Sequence, residues 1–217
     1  MPPPPPPGAD AQSICGWDLL YPAQAVDGLV HLQGGEELRT ALRCAAPVLE
    51  TRDSGEHLRC RVGEAVLTSG VDGTGSSGPS GLPFDAIVHT VPPFWPRGTD
   101  ASDPTARMEW SKALLSCYRS SFRLAAEFAS DVDRSGTAAG LAIATPVLGS
   151  GARGAPFAHA ARVLAEAAAQ ALVDMPTSLR VVVHSSSLGR SDVAVVEAEL
   201  AAAAAAAAAS EAASAAS

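Results

Sequence analysis

Aromatic residues are scarce in this chain. Phe, Tyr and Trp supply 5% of 217 residues, and an alanine run over 201–209 inflates the 47% apolar fraction, so the usable core is modest. That is enough for one ordinary domain with length left for tails. No dense basic run occurs either: 15 Lys and Arg stand against 23 Asp and Glu, a formal charge of -8. Such a balance gives no electrostatic footprint for a nucleic-acid polymer, so any nucleotide partner is expected to be small. The four cysteines, Cys15, Cys44, Cys60 and Cys117, lie far apart with no Cys-x-x-Cys or His-Cys spacing. This excludes the usual zinc and redox motifs and predicts reduced, buried thiols, with no metal and no cofactor required. The chain shows no basic segment leading into an apolar one at its start, and no long apolar stretch outside alanine-rich sequence. The expectation is a soluble intracellular protein, cytosolic or nuclear, without a membrane partner.

What is present is organised by proline, glycine and alanine. Pro2 through Pro7 form a polyproline stretch, stiff and without internal hydrogen bonds; a passive tail is the favoured reading over docking to an SH3-like partner. The expected layout is a proline-rich tail over 1–11, a domain over 12–200 with a flexible loop near 72–83, and an alanine-rich helical extension over 201–217.

Within the domain, helical and strand patterns alternate. Helices are predicted over 36–45, with Leu38, Ala41, Leu42 and Ala45 on one face, and over 104–129, entered by Asp103 as N-cap and Pro104 in the first turn. The second carries Leu114, Cys117, Tyr118, Phe122 and Ala125 on its apolar face. A third helix is predicted over 156–174, with a stripe of Phe157, Ala161, Leu164, Ala168 and Leu172, and a fourth from about residue 191 into the alanines. Strands are predicted over 60–68, 84–91, 141–145 and 179–184. Alternation of this kind argues for an α/β layer structure, largely but not wholly parallel.

The most informative segment runs from 141 to 160. A short apolar run meets Pro146, then Leu148-Gly149-Ser150-Gly151-Ala152-Arg153-Gly154, then a helical segment. A strand feeding a glycine-rich turn that opens a helix offers free backbone N–H groups and a positive helix end at one point, which suits a phosphate or diphosphate. The spacing is neither that of the P-loop nor G-x-G-x-x-G, and an ordinary connecting loop is the alternative.

Several segments in order resemble a macro domain, the family that binds ADP-ribose and includes enzymes that remove ADP-ribose from proteins. Residues 84–95, FDAIVHTVPPFW, are similar to the family's strand ending in I-H-T-V-G-P with a following aromatic. Residues 142–151, AIATPVLGSG, are similar to S-I-A-F-P-x-I-x-T-G, residues 26–31, VDGLVH, to the loop and helix G-G-G-V-D-G-x-I-H, and Gly63-Glu64-Ala65 to a G-x-A strand start. The long helix carrying LLSCY at 114–118 lies between. The resemblance implies a three-layer α/β/α fold on a mixed sheet, with the first strands missing or reduced.

It also implies roles for particular residues. Gly149, Ser150, Gly151, Ala152, Arg153 and Gly154 match the loop that wraps the diphosphate of ADP-ribose with backbone N–H groups. The family usually has aromatics where Arg153 and Ala155 stand, so Arg153 either reaches the phosphates with its guanidinium or is a solvated surface residue. Asp27 matches the carboxylate proposed to orient or activate water in the branch that removes single ADP-ribose units, with His31 one helical turn on; i and i+4 share a face. The alternative is that Asp27 caps its helix and His31 packs locally. His89 reads as a structural histidine with a satisfied hydrogen bond.

The chain departs from the family elsewhere. Ile14, Cys15, Gly16 and Trp17 stand where N-A-A-N is expected, and none can donate and accept as an amide does. Pro22, Ala23, Gln24 and Ala25 replace the glycines before V-D, Asp10 is no secure equivalent of the adenine-binding Asp, and residues 181–186 lack the aromatic that stacks on adenine. The adenosine half of the pocket is thus expected to be eroded and the diphosphate turn preserved. Three functions follow, ranked in this order: binding of ADP-ribose or a related phosphorylated nucleoside, hydrolysis of mono-ADP-ribose from proteins, and a degenerate homologue without binding.

Overall fold

A computed structural model of the protein describes residues 26–51, 53, 57–69, 82–98, 102–133, 141–174, 179–183 and 190–215. The proline tract, Asp10, residues 14–17 and most of the 72–83 loop lie outside them. Helix α1 (Val26–Ala45) begins ten residues before the expected helix, because a second helical segment precedes it across a kink at Gly35 (φ 58°, ψ -151°). A positive φ is accessible to glycine without a Cβ penalty, so the two segments meet there. Leu38 and Leu42 are buried as predicted, whereas Ala45 is exposed. The last turn is closed by Arg59, whose Nη1 donates to the Ala46 carbonyl at 2.6 Å.

Two short strands with no sequence signal, β1 (Glu50–Thr51) and β2 (His57–Leu58), pair antiparallel. Next come β3 (Ala65–Ser69) and β4 (Ala86–Thr90), also antiparallel, in register from Ala65 opposite Thr90 to Ser69 opposite Ala86. The predicted 60–68 strand is thereby shortened: its first part turns at Gly63 (φ 88°), leaving only an isolated bridge from Val62 to Val91.

Helix α2 (Pro104–Asp133) starts where its cap dictates, with the Asp103 carboxylate accepting the Thr105 N–H at 2.9 Å. Its buried face is Trp110, Leu114, Cys117, Tyr118, Phe122 and Ala125, a 3–4 residue spacing. Ser116 and Ser120 donate to the Gly63 carbonyl at 3.0 and 2.9 Å, tying α2 to the turn before β3.

Strand β5 (Leu141–Thr145) matches its predicted bounds and pairs parallel with β6 (Leu179–Val183). Between them runs α3 (Phe157–Asp174), whose core side is Ala160, Leu164, Ala167 and Ala171. Ala161, Leu164 and Ala168 of the predicted stripe are buried, but Leu172, in the last turn of α3, is 59% exposed. Helix α4 (Arg190–Ala215) packs along α3 through buried Val196, with Glu199 facing Arg162. Cys60 and Cys117 are buried, as expected, but Cys44 is exposed on α1.

Candidate functional site

The turn after β5 is held from α2. Pro146 has no N–H and cannot continue a ladder, so the chain leaves the sheet there. The Tyr118 hydroxyl donates to the Pro146 carbonyl at 3.4 Å and accepts the Leu148 N–H at 2.8 Å. Burial pushes the Tyr118 phenol well above its ordinary range, against the opposing bond from Leu148, so it stays a neutral donor and acceptor.

The turn then closes on itself. The Val147 carbonyl accepts from the Ser150 hydroxyl (2.8 Å) and N–H (3.4 Å), the Gly151 carbonyl from the Gly154 N–H (2.9 Å), and the Gly149 carbonyl from the Ala155 N–H (3.0 Å). Gly149 (φ 84°) and Gly154 (φ 79°) adopt the left-handed region. A Cβ on Gly149 would also stand 3.3 Å from Trp110 Cζ2. The amides of Ser150 and Gly154 are therefore engaged within the turn. Those of Gly149, Gly151 and Ala152 have no acceptor among the described residues. Two residues after Ala155, the first turn of α3 begins at Phe157.

Arg153 is not a solvated surface residue. It is 7% exposed, and its guanidinium carbon lies 4.2 Å from the centroid of the Phe94 ring. Its carbonyl accepts the Trp95 N–H at 2.9 Å, and the Trp95 ring meets Trp110 edge-to-face at 4.8 Å. The segment leaving β4 thus forms a wall against which the glycine turn rests.

Asp27 and His31 occupy the first turns of α1, with Asp27 Oδ1 3.5 Å from His31 Nε2. This is an ion-pair distance rather than a close hydrogen bond. The Asp27 carboxylate is half-exposed while His31 is buried, and His31 Nδ1 has no hydrogen-bond partner among the described residues. Desolvation raises the pKa of Asp27; His31 and Arg153 oppose it, so the turn's cation acts on the carboxylate of α1.

Behind His31 lies His89, ring centroids 5.9 Å apart, with His89 Nε2 2.9 Å from the Thr68 hydroxyl. Burial, reinforced by His31, lowers the His89 pKa to about 4, so this ring is neutral at neutral pH. His89 is the satisfied structural histidine that its strand position predicted. Phe94, Trp110 and Thr68 were not singled out as site residues. Phe94 and Trp95 stood in the strand motif as its following aromatic, whereas nothing in the local pattern marked Thr68. Among the described residues no cluster of His, Cys, Asp or Glu suits a metal ion, and no helix is long and apolar enough to cross a membrane.

Known proteins resemble this chain in sequence and in fold. A macro domain-containing protein of Streptomyces nogalater is 31% identical over 158 residues, 73% of this chain and 68% of that protein. O-acetyl-ADP-ribose deacetylase 2 of Pantoea vagans is 34% identical over 94 residues, 43% of each chain. Among solved structures, an Oceanobacillus iheyensis macrodomain variant with ADPR superposes with a TM-score of 0.56 at 25% identity, covering 87% of this chain and 80% of that one. The sequence pattern of the macro domain itself matches residues 19–164, which take in α1, the β3–β4 pair, α2, β5, the glycine turn and the first part of α3. The chain belongs to the macro domain family.

Proposed function

We propose that this chain binds ADP-ribose, or a related phosphorylated nucleoside, with its diphosphate at Gly149, Ser150, Gly151, Ala152, Arg153 and Gly154. The observation that carries the reading is the set of uncommitted amides at Gly149, Gly151 and Ala152, in a turn between a strand and an 18-residue helix. Backbone N–H groups in such a turn are preorganised donors for phosphate oxygens and gain from the helix end beyond them. The ADPR held by the Oceanobacillus iheyensis macrodomain variant supports the choice of ligand.

Calorimetry with ADP-ribose tests this. Gly151 is exposed, has an ordinary φ, and an added Cβ there meets nothing within 4 Å, so Gly151→Leu should fold normally while its side chain obstructs the phosphates. Wild type should bind and Gly151→Leu should not. Retained affinity in the variant would place the phosphates elsewhere; no heat from wild type at millimolar ligand would leave the degenerate homologue.

A second reading, hydrolysis, is favoured by the Asp27–His31 pair and by the deacetylase of Pantoea vagans. Asp27 would accept the proton of a water attacking an ester or anomeric carbon of the bound ligand, with the diphosphate positioned by the turn. Release of ADP-ribose from a modified protein by wild type but not by Asp27→Asn would support it; equal release would remove Asp27 from the chemistry.

A further inference from the structure

We propose that His89 is a positioning residue: held by the Thr68 hydroxyl, it backs the His31 ring and so keeps His31 Nε2 on the Asp27 carboxylate. The catalytic consequence rests on the hydrolytic reading above; the positioning does not. In the β3–β4 register Val66 stands opposite His89 and Thr68 opposite Ile87, and side chains alternate along each strand, so these four share one face of the pair. Helix α1 packs on β3, and the His31 ring meets the His89 ring there with centroids 5.9 Å apart and planes inclined at 39°.

A working imidazole is ordinarily fixed through its other ring nitrogen, whose hydrogen bond sets both tautomer and orientation. His31 has no such anchor. Its Nδ1 is buried without a hydrogen-bond partner among the described residues, and 3.5 Å from Nε2 to Asp27 Oδ1 is too long to hold a ring by itself. Packing has to supply the orientation, and the ring against it is His89. His89 is itself fixed, with Nε2 2.9 Å from the Thr68 hydroxyl and both side chains buried. Burial, reinforced by His31, lowers the His89 pKa to about 4, so at neutral pH the backing ring presses no like charge on His31. Two groups favour the ionised form of Asp27: His31 and, from the glycine turn, Arg153. Displacing the His31 ring leaves Arg153 alone against desolvation, so Asp27 would keep its proton to a higher pH.

Carboxyl carbon NMR titration of Asp27 in the full chain reads this geometry without any ligand. The Asp27 midpoint should rise in His89→Ala, and also in Thr68→Val, which keeps the shape of the side chain but frees the His89 ring. His89→Phe, which restores a ring against His31, should bring the midpoint back toward wild type. Val196→Ala loosens α4 instead and should leave it unmoved, which separates positioning from a general loss of stability. In alkaline buffer, where imidazoles are neutral, the ring nitrogen shifts of wild-type His31 should show one tautomer with its proton on Nε2, facing the carboxylate. With an ADP-ribosylated protein as substrate, His89→Ala and Thr68→Val should lose about tenfold in kcat with KM nearly unchanged, and His89→Phe should lose less. An unmoved Asp27 midpoint in folded Thr68→Val and His89→Ala, or a wild-type His31 protonated on Nδ1, would overturn the inference. If His89→Ala fails to fold, Thr68→Val and the wild-type tautomer decide it. Should wild type release no ADP-ribose while the Asp27 midpoint moves as stated, the positioning stands and the hydrolytic reading falls.

Discussion

The Tyr118 hydroxyl accepts the Leu148 N–H at 2.8 Å, so a side chain in the middle of α2 holds the first amide of the glycine turn 30 residues later in the chain. Tyr118 is 1% exposed and no water is needed to satisfy either group. The glycine turn is in this sense an appendage of α2 as much as of β5.

Removing that hydroxyl isolates its effect. Tyr118→Phe preserves the ring's packing against Phe122, at 6.0 Å between centroids, but strands the Leu148 N–H. A loss of about 1–3 kcal/mol of stability is expected from urea denaturation. Hydrogen exchange at Leu148 should speed up more than exchange in the middle of α3. Unchanged stability would mean that the turn holds its position without α2.

Two glycines of the same turn should behave in opposite ways. Gly149→Ala places a Cβ 3.3 Å from Trp110 in a backbone with φ 84°, a strained combination expected to cost about 1–3 kcal/mol. Gly151→Ala should be nearly silent, because no atom lies within 4 Å of the new Cβ and φ is ordinary. Melting temperatures of the two single variants decide the matter, and equal shifts would contradict this geometry.

His89 sets a pH dependence with a definite sign. Its folded pKa is about 4 against an ordinary 6.5, because burial and His31 disfavour the charged ring. Between those values the unfolded chain holds a proton that the folded protein does not, so stability declines as pH falls through that window, by about 3 kcal/mol in all. The raised pKa of Asp27 acts in the opposite direction. His89→Gln, which can still bond the Thr68 hydroxyl, should flatten the decline between pH 6.5 and 4. An identical slope in the variant would assign the effect to other groups.

Much of the fold was legible along the chain because the relevant forces are local. β5 is bounded by Pro146 and matches its predicted extent; the Asp103 carboxylate caps α2 where the Asp-Pro pair said it would; the buried face of α2 follows helical spacing. The kink at Gly35 and the small β1–β2 pair were not legible, since a glycine permits a break without requiring it and two-residue strands carry no periodicity. Leu172 shows the limit of periodicity: Ala161, Leu164 and Ala168 of its stripe are buried as predicted, but the pattern does not tell where along the helix the covering neighbours end.

The residue types of the candidate site, and the spacing that puts Asp27 and His31 on one helical face, were determined by the sequence alone. A glycine-rich turn entering a helix was determined in the same way, because backbone sterics and capping act over a few residues. Tertiary structure decided which amides of that turn stay uncommitted, that Arg153 turns inward onto Phe94, and that His31 lies against His89. Each of these joins residues far apart in the chain, and the energy of such a contact depends on packing that no local pattern encodes.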